Sequence, residues 1–286
     1  MNKDLHFEFT GETIQFSGRI LHRIRATKDL PAFKVKKGDL GGWIEKIENL
    51  QDNAWVADEA KVMDNAKVYG NALIKDKARI INNTMIFDYA QVCENALIMD
   101  FAKIYEKAIV KGNSMIYNNA EVYGTADVYG HTSARFYSKI YGNASVGDYV
   151  ILNDYAKIYN NAILKGRVSL WNNTEVYGNA YIDGTIVLED NTKILNNSIL
   201  KGLMKINGNA FIYDNNDICV FNSFGSMNRT TTAFRTKDGS IKINCGCFSG
   251  TIEEFIEQIK EKHKNTKFEK EYLTMVELIK IKLNIN

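Results

Sequence analysis

Every sixth residue is a branched aliphatic through more than half of this chain. From Leu50 to Ile218, the positions six apart are all Val, Ile or Leu, with the single exception of Ala134. A small residue, most often Ala, stands two positions before most of them. Six is a multiple of the strand period of two but not of the helical period of 3.6. The aliphatic residues and the small residues therefore share one face of a strand, whereas a helix would spread them around its surface. The repeat predicts a mainly β chain that folds as a parallel β-helix with stacked coils.

A second period, of eighteen residues, indicates how many strands make one coil. Larger residues replace the small one at positions eighteen apart, namely Val150, Val168, Ile186 and Met204. The residue after the aliphatic is also sorted by eighteen, and this column is Tyr69, Phe87, Tyr105, Tyr123, Tyr141, Tyr159, Tyr177, Leu195 and Tyr213. Eighteen residues are three hexads, so we predict a triangular prism of about ten coils with three flat sheets.

The start and end of the repeat divide the chain into three segments. Residues 1–49 lack the repeat, and their alternating stretches and the Gly-rich string GDLGGWIEKIENL predict a small N-terminal β cap. Residues 50–220 form the predicted β-helix. Residues 221–286 contain a hairpin signal at Lys237-Asp238-Gly239, followed by capping boxes at Thr251 and Thr266 that each open a helix. We expect a C-terminal α+β module there.

The composition favours a cytoplasmic protein without a general nucleic-acid or membrane surface. The net charge is +2, from 36 basic and 34 acidic residues. We expect no signal peptide from the residues MNKDLHFEFTGE, and the sequence has no apolar run long enough to span a membrane. Four cysteines fit a reducing compartment. We predict no metal site, because the only close pair, Cys245 and Cys247, has no second pair to complete a zinc site.

Two strings resemble known proteins. RIRATKDLPAFKVKKGDLGGWIEKIENL (23–50), with the VYGNA-type hexads that follow it, is similar to bacterial and phage-encoded β-helix proteins, some of which carry an acyltransferase label. TTTAFRTKDGSIKINCGCFSGTIEEF (230–255) resembles a C-terminal module common on uncharacterised phage proteins. The hexads also resemble those of the hexapeptide acyltransferases, whose β-helix is left-handed. These resemblances imply a left-handed β-helix, a phage or prophage origin and the cytosol of a bacterial host.

The acyltransferase resemblance implies a histidine general base and acyl-CoA bound along the prism. His131 is the only histidine in the repeat, so it is the candidate base. Against this role, the repeat has no inserted loop that could enclose an acceptor, and no carboxylate is placed to orient the imidazole. We therefore expect His131 to be a surface turn residue and no cofactor to be needed. An acyltransferase that uses acyl-CoA remains the alternative.

The tyrosine column predicts a subunit interface. Stacked rings on neighbouring strands also stabilise a sheet locally, and this is the simpler role. A long outward aromatic stripe would otherwise face water, however, and the resembling fold commonly assembles as trimers. The predicted interface residues of a homo-oligomer, most simply a trimer, are Tyr105, Tyr123, Tyr141, Tyr159 and Tyr177.

Hydroxyl, amide and cationic side chains are concentrated at 223–237, where the repeat has ended. Such groups suit phosphate oxygens, although a polar transition loop would have the same composition. The predicted ligand-binding residues are Ser226, Asn228, Arg229, Thr230, Thr231 and Arg235. We interpret the chain as a non-enzymatic binding protein that engages a host molecule or sequesters a small nucleotide-like anion. A host-defence signal would be one such ligand on the phage resemblance.

Overall fold

The computed structural model describes residues 5–285. The chain divides into two compact units, with the boundary between Asp154 and Tyr155. Both are mainly β, and each contains parallel β-solenoid coils, which confirms the predicted fold class. The turns number about nine, against the predicted ten or so. The boundary lies inside the segment 50–220, so each unit contains part of the repeat. The left-handed sense of the winding stays a prediction.

The first unit begins with an antiparallel hairpin, β1 (Phe7–Phe16) and β2 (Arg19–Ala26). A short 3₁₀ helix follows (Pro31–Phe33), then β3 (Leu40–Ile44) and a second 3₁₀ helix (Ile47–Asn49). Strand β3 pairs with β2 on one side and with the second solenoid strand, β5 (Lys61–Val62), on the other. Gly42 permits this approach, since a Cβ there would lie 2.8 Å from the Ala60 carbonyl oxygen.

Two-residue strands form the rest of the first unit, stacked in three parallel ladders. The first ladder is β4 (Trp55–Val56), β7 (Leu73–Ile74), β10 (Gln91–Val92), β13 (Ile109–Val110), β16 (Asp127–Val128) and β19 (Ser145–Val146). The second is β3, β5, β8 (Arg79–Ile80), β11 (Leu97–Ile98), β14 (Met115–Ile116), β17 (Ser133–Ala134) and β20 (Ile151–Leu152). The third is β6 (Lys67–Val68), β9 (Met85–Ile86), β12 (Lys103–Ile104), β15 (Glu121–Val122) and β18 (Lys139–Ile140).

The register confirms three hexads in each turn. Gln91, for example, pairs with Leu73 before it and with Ile109 after it, each eighteen residues away. The aliphatic of each hexad is buried, as in Ile104 and Val122, and so is the small residue two positions earlier. Ala134 lies between Ile116 and Leu152 in its ladder, so the one break in the aliphatic series is flanked by large side chains.

Corners of the coils explain the Asp, Asn and Gly residues of the repeat. The second residue after most of the aliphatics adopts a left-handed backbone, as at Asp76 (φ 60°) and Asn82 (φ 60°), which these residue types tolerate better than most. The carboxylate of Asp76 also accepts a hydrogen bond from the backbone N–H of Glu94 in the next coil at 3.0 Å. Asp58 makes the same contact with the backbone N–H of Asp76 at 3.1 Å, so acidic corners such as these support the corner stacked upon them.

In the second unit the repeat continues as seven strands. They are β21 (Lys157–Ile158), β22 (Ile163–Leu170), β23 (Glu175–Val176), β24 (Tyr181–Leu188), β25 (Lys193–Ile194), β26 (Ile199–Ile206) and β27 (Phe211–Ile212). Strands β22, β24 and β26 run through one corner without a turn, paired along their whole length. Val168, Ile186 and Met204, three of the larger residues that replace the small one, lie within these strands.

A C-terminal module completes the second unit. Its antiparallel sheet is β28 (Ile218–Phe224), β29 (Arg229–Arg235), β30 (Ile241–Cys245) and β31 (Phe248–Thr251). The helices α1 (Ile252–His263) and α2 (Lys267–Lys282) follow. Their apolar stripes pack on one face of the sheet, including Phe255 and Ile279. The predicted capping box between Thr251 and Glu254 is present.

The same sheet lies on the last coil of this unit. The backbone N–H of Lys237 donates to the Asn209 carbonyl at 2.9 Å, and the Asn244 amide donates to the Lys205 carbonyl at 3.0 Å. The module therefore covers the end of the solenoid strands in its own unit.

The predicted hairpin is present between β29 and β30. Hydrogen bonds from Thr236 and then Ser240 in this hairpin lower the pKa of Asp238 to about 2.

Candidate functional site

A hollow of about 990 Å³ lies in the second unit between the C-terminal sheet and the outer face of β24 and β26. We call it the sheet pocket. Solenoid strands contribute Thr185, Val187, Leu203, Met204 and Lys205, and Asn207 follows β26. The module contributes Asn222, Ser223, Asn228, Arg229, Thr230, Thr232, Asn244, Gly246, Cys247, Phe248 and Ser249. The solenoid wall therefore supplies the aliphatic side chains of the hollow, and the facing wall supplies most of its hydroxyl and amide groups.

Short hydrogen bonds organise the polar wall. The Thr230 hydroxyl donates to the Asn222 side-chain oxygen at 2.9 Å, and the Ser249 hydroxyl donates to that of Asn244 at 2.7 Å. Asn228 has a left-handed backbone (φ 51°) just before β29 begins. The two hydrogen bonds fix side chains from all four strands of the sheet before any ligand is bound.

The charges around the sheet pocket are positive. Lys205 forms an ion pair with Glu189 at 2.9 Å, which offsets its charge. Arg229 is exposed, and its guanidinium makes no ion pair among residues 5–285. None of the described lining residues is Asp or Glu. The arrangement suits an anion, because a guanidinium binds phosphate or carboxylate through two parallel hydrogen bonds.

A smaller hollow of about 260 Å³, the helix pocket, adjoins the first through shared residues. Arg229, Cys247 and Phe248 line both hollows. The other lining residues are Ser226, Met227, Cys245, Phe255, Gln258, Ile259, Lys262, His263 and Tyr272. The side chain of Arg229 therefore stands where the two hollows meet.

Four of the six predicted ligand-binding residues line these hollows. Asn228 and Thr230 line the sheet pocket, Ser226 lines the helix pocket, and Arg229 lines both. Thr231 instead points into the sheet, where it is fully buried and its hydroxyl donates to Cys245 Sγ at 3.1 Å.

Arg235 is also outside the lining of both hollows. Its Nε donates to Asp217 Oδ1 at 3.0 Å, and Nη1 donates to the Gly239 carbonyl at 3.2 Å. The remaining nitrogen, Nη2, donates to the Leu283 carbonyl at the end of α2. The structure thus gives Arg235 a role in holding the module together.

Sequence reasoning missed the solenoid wall and the helical part of the site. Leu203 is 53% exposed although it is apolar, and its position in the repeat marked it only as outward-facing. Phe255, Gln258 and Lys262 lie three or four residues apart on α1, a spacing that identifies one helix face. Nothing in the sequence indicated that this face would adjoin Arg229.

The tyrosine column forms a ladder of parallel rings in the first unit. Centroids of Tyr105 and Tyr123, and of Tyr123 and Tyr141, lie 4.8 Å apart, with planes within 6° of parallel. In the second unit Tyr159 and Tyr177 stack at 4.7 Å. All five rings are half-buried. Burial raises the pKa of Tyr105, and the neighbouring Glu121 raises it further.

His131 is exposed at a corner of the first unit. Its ring stacks on Tyr149 with centroids 5.0 Å apart and planes 1° from parallel. Its backbone N–H donates to the Asp148 carbonyl at 2.6 Å. The imidazole thus occupies the surface turn position that its place in the repeat predicts.

Comparisons with known proteins add no assignment to this geometry. The sequence matches no protein-family model and no curated protein. The resemblances to phage β-helix proteins and to acyltransferases therefore stay predictions. Within residues 5–285, neither helix has the length and apolar character needed to cross a membrane.

Proposed function

We propose that the second unit binds a small phosphate-bearing anion in the sheet pocket and holds it without converting it. The observation that carries the proposal is Arg229, a cation with no ion pair among the described residues, in a hollow that no described carboxylate lines. A guanidinium binds phosphate oxygens through two hydrogen bonds, and each such charge-assisted bond is stronger than a neutral one.

The remaining lining fits an anion that also has an apolar part. Thr230, Thr232 and Asn228 offer hydroxyl and amide donors on one side. Leu203 and Val187 offer apolar surface on the other. Small-molecule sites commonly enclose about 300–1,000 Å³, and the volume of the sheet pocket lies within that range. The chain would then act by keeping its ligand from other proteins.

The biological context is proposed on the sequence resemblance alone. If the chain is encoded by a phage or prophage, a stable sequestering protein in the host cytosol would lower the free concentration of a host signal molecule. A host-defence nucleotide has the required negative charge and size. Engagement of a larger host molecule at the same pocket is the second form of this proposal.

Titration calorimetry with inorganic tripolyphosphate tests the anion site. We expect wild-type protein to release heat, and Arg229→Ala to weaken binding at least about tenfold, since a hydrogen bond to a charged group contributes roughly 1.5–3 kcal/mol. Arg229→Lys should recover only part of the affinity, because an ammonium cannot form the bidentate contact. Lys237→Ala, a cation outside both linings, is the matched control. Equal affinities for wild type and Arg229→Ala would sink the proposal.

We also propose that the protein is a homo-oligomer, most simply a trimer, that assembles through the tyrosine column. The support is the length of the ladder and the exposed part of each ring. Two stacked neighbours cover the faces of Tyr123 but leave its edge accessible. A second subunit would cover a row of such edges at once.

A further inference from the structure

The helix pocket is walled by aromatic rings. Phe248 and Phe255 lie with centroids 5.0 Å apart, and Phe255 meets Tyr272 edge to face at 5.9 Å. His263 lies against Tyr272 at 5.2 Å. Rings attract further rings through stacked and edge-to-face contacts, so this wall suits a flat unsaturated group.

One polar atom in this wall lacks a partner. The side-chain oxygen of Gln258, Oε1, is buried and accepts no hydrogen bond from any described residue. A buried acceptor without a donor is unfavourable, because it has lost its water and gained nothing in return. Gln258 lines the helix pocket, and a turn of its side chain towards the hollow would bring this oxygen to a ligand there. The complementary group is an N–H donor on a flat ring.

Arg229 connects that position with the anion site. It lines both hollows, and Lys262 adds a second cation to the helix pocket, where none of the described lining residues is Asp or Glu. At about 260 Å³ the helix pocket is smaller than most whole-ligand sites, so it would take one end of a molecule. The other end would pass Arg229 into the larger hollow.

We infer that the ligand is a nucleotide whose base carries an amino group. The base lies in the helix pocket among Phe248, Phe255 and Tyr272, and its amino group donates to Gln258 Oε1. The phosphates lie at Arg229 and extend into the sheet pocket. This inference rests on the proposed anion site and adds the chemistry of the group attached to the anion.

Gln258→Leu is the informative variant, because it removes the acceptor and keeps a side chain of similar size. The probes are ADP and inorganic pyrophosphate, which share the phosphates but not the base. We expect ADP to bind wild-type protein more tightly than pyrophosphate does. In Gln258→Leu, ADP binding should weaken about tenfold, while pyrophosphate binding stays unchanged. Arg229→Ala should weaken both.

Two controls separate this inference from a folding defect and from the anion site itself. Gln258→Leu removes an unsatisfied buried oxygen, so the free variant should unfold at the same or a higher urea concentration than wild type. Glu257→Leu, an exposed neighbour on α1, should change neither affinity. If ADP and pyrophosphate bind equally and Gln258→Leu has no effect, the inference is wrong and the anion site stands. If neither probe binds wild-type protein, the proposed function is wrong as well.

Discussion

The guanidinium of Arg235 joins the C-terminal sheet to Asp217 through an Nε–Oδ1 hydrogen bond of 3.0 Å. Its other nitrogens donate to the Gly239 and Leu283 carbonyls, so one side chain contacts the start of the module, the hairpin and the end of α2. We expect Arg235→Ala to lower the free energy of unfolding by roughly 1.5–3 kcal/mol, because Asp217 then keeps a partly buried charge without its partner. Urea denaturation measures this loss.

Arg229→Ala is the matched control for Arg235→Ala. Both remove a guanidinium from the same strand, β29, but Arg229 has no ion pair to lose among residues 5–285. Its unfolding free energy should stay within about 0.5 kcal/mol of wild type, as for most surface substitutions. Equal losses in the two variants would contradict the division between a structural and a ligand-binding arginine.

These two arginines also show where sequence reasoning succeeds and where it stops. The hexad predicts the coils because its period permits only one face to be buried, and the register of Gln91 with Ile109 follows from it. Within 223–237, however, the sequence does not distinguish an arginine that binds a ligand from one that pairs with a carboxylate. The role of Arg235 depends on its contacts with Asp217, Gly239 and the end of α2, which only the folded chain brings together.

The residues that line the sheet pocket could not all be predicted from the sequence, for a related reason. Alternation along β29 places Thr231 on the opposite side from Thr230, and this was readable in the sequence. The contact between this sheet and β26 was not, since it joins elements that have no shared pattern. The larger residues at Val168 and Ile186 indicated only the period of eighteen. That they lie in strands that continue through a corner is shown by the pairing of β22 with β24.

The interior of the coils should be sensitive to loss of volume. Ile104 is fully buried and pairs with Ile86 and Val122 in the third ladder. We expect Ile104→Ala to lower the free energy of unfolding by about 2–5 kcal/mol, because stacked coils on both sides limit collapse of the cavity. Lys103→Ala, which changes the adjacent outward residue, is the control and should cost far less. Similar losses, measured by urea denaturation, would argue against the inward assignment.

The tyrosine column makes a prediction about mass in solution. If it forms the subunit interface, Tyr123→Lys places a charge among half-buried rings and should shift the particle from trimer towards monomer, measured by light scattering. Tyr89→Lys is the control, because Tyr89 lies outside the column and is 59% exposed. An unchanged mass for Tyr123→Lys would leave the rings with the local stacking role alone.

Acid should destabilise the N-terminal part of the first unit through His6. This side chain is buried, and its Nε2–H donates to the Ala54 carbonyl at 2.7 Å. Burial lowers the pKa of His6 below its usual 6.5, and the hydrogen bond opposes only part of that effect. As the pH falls below 6.5, the unfolded chain takes up a proton here before the folded chain does, so stability decreases until the folded pKa is passed.

Urea denaturation between pH 8 and pH 5 at constant ionic strength measures this loss. The chain has four histidines, so the informative quantity is the difference between wild type and His6→Gln, which keeps a side-chain N–H donor but does not titrate. We expect the curve of wild type to fall more steeply below pH 6.5 than that of the variant. Parallel curves would mean that the pKa of His6 is the same in the folded and the unfolded chain, so that burial does not disfavour its charged form.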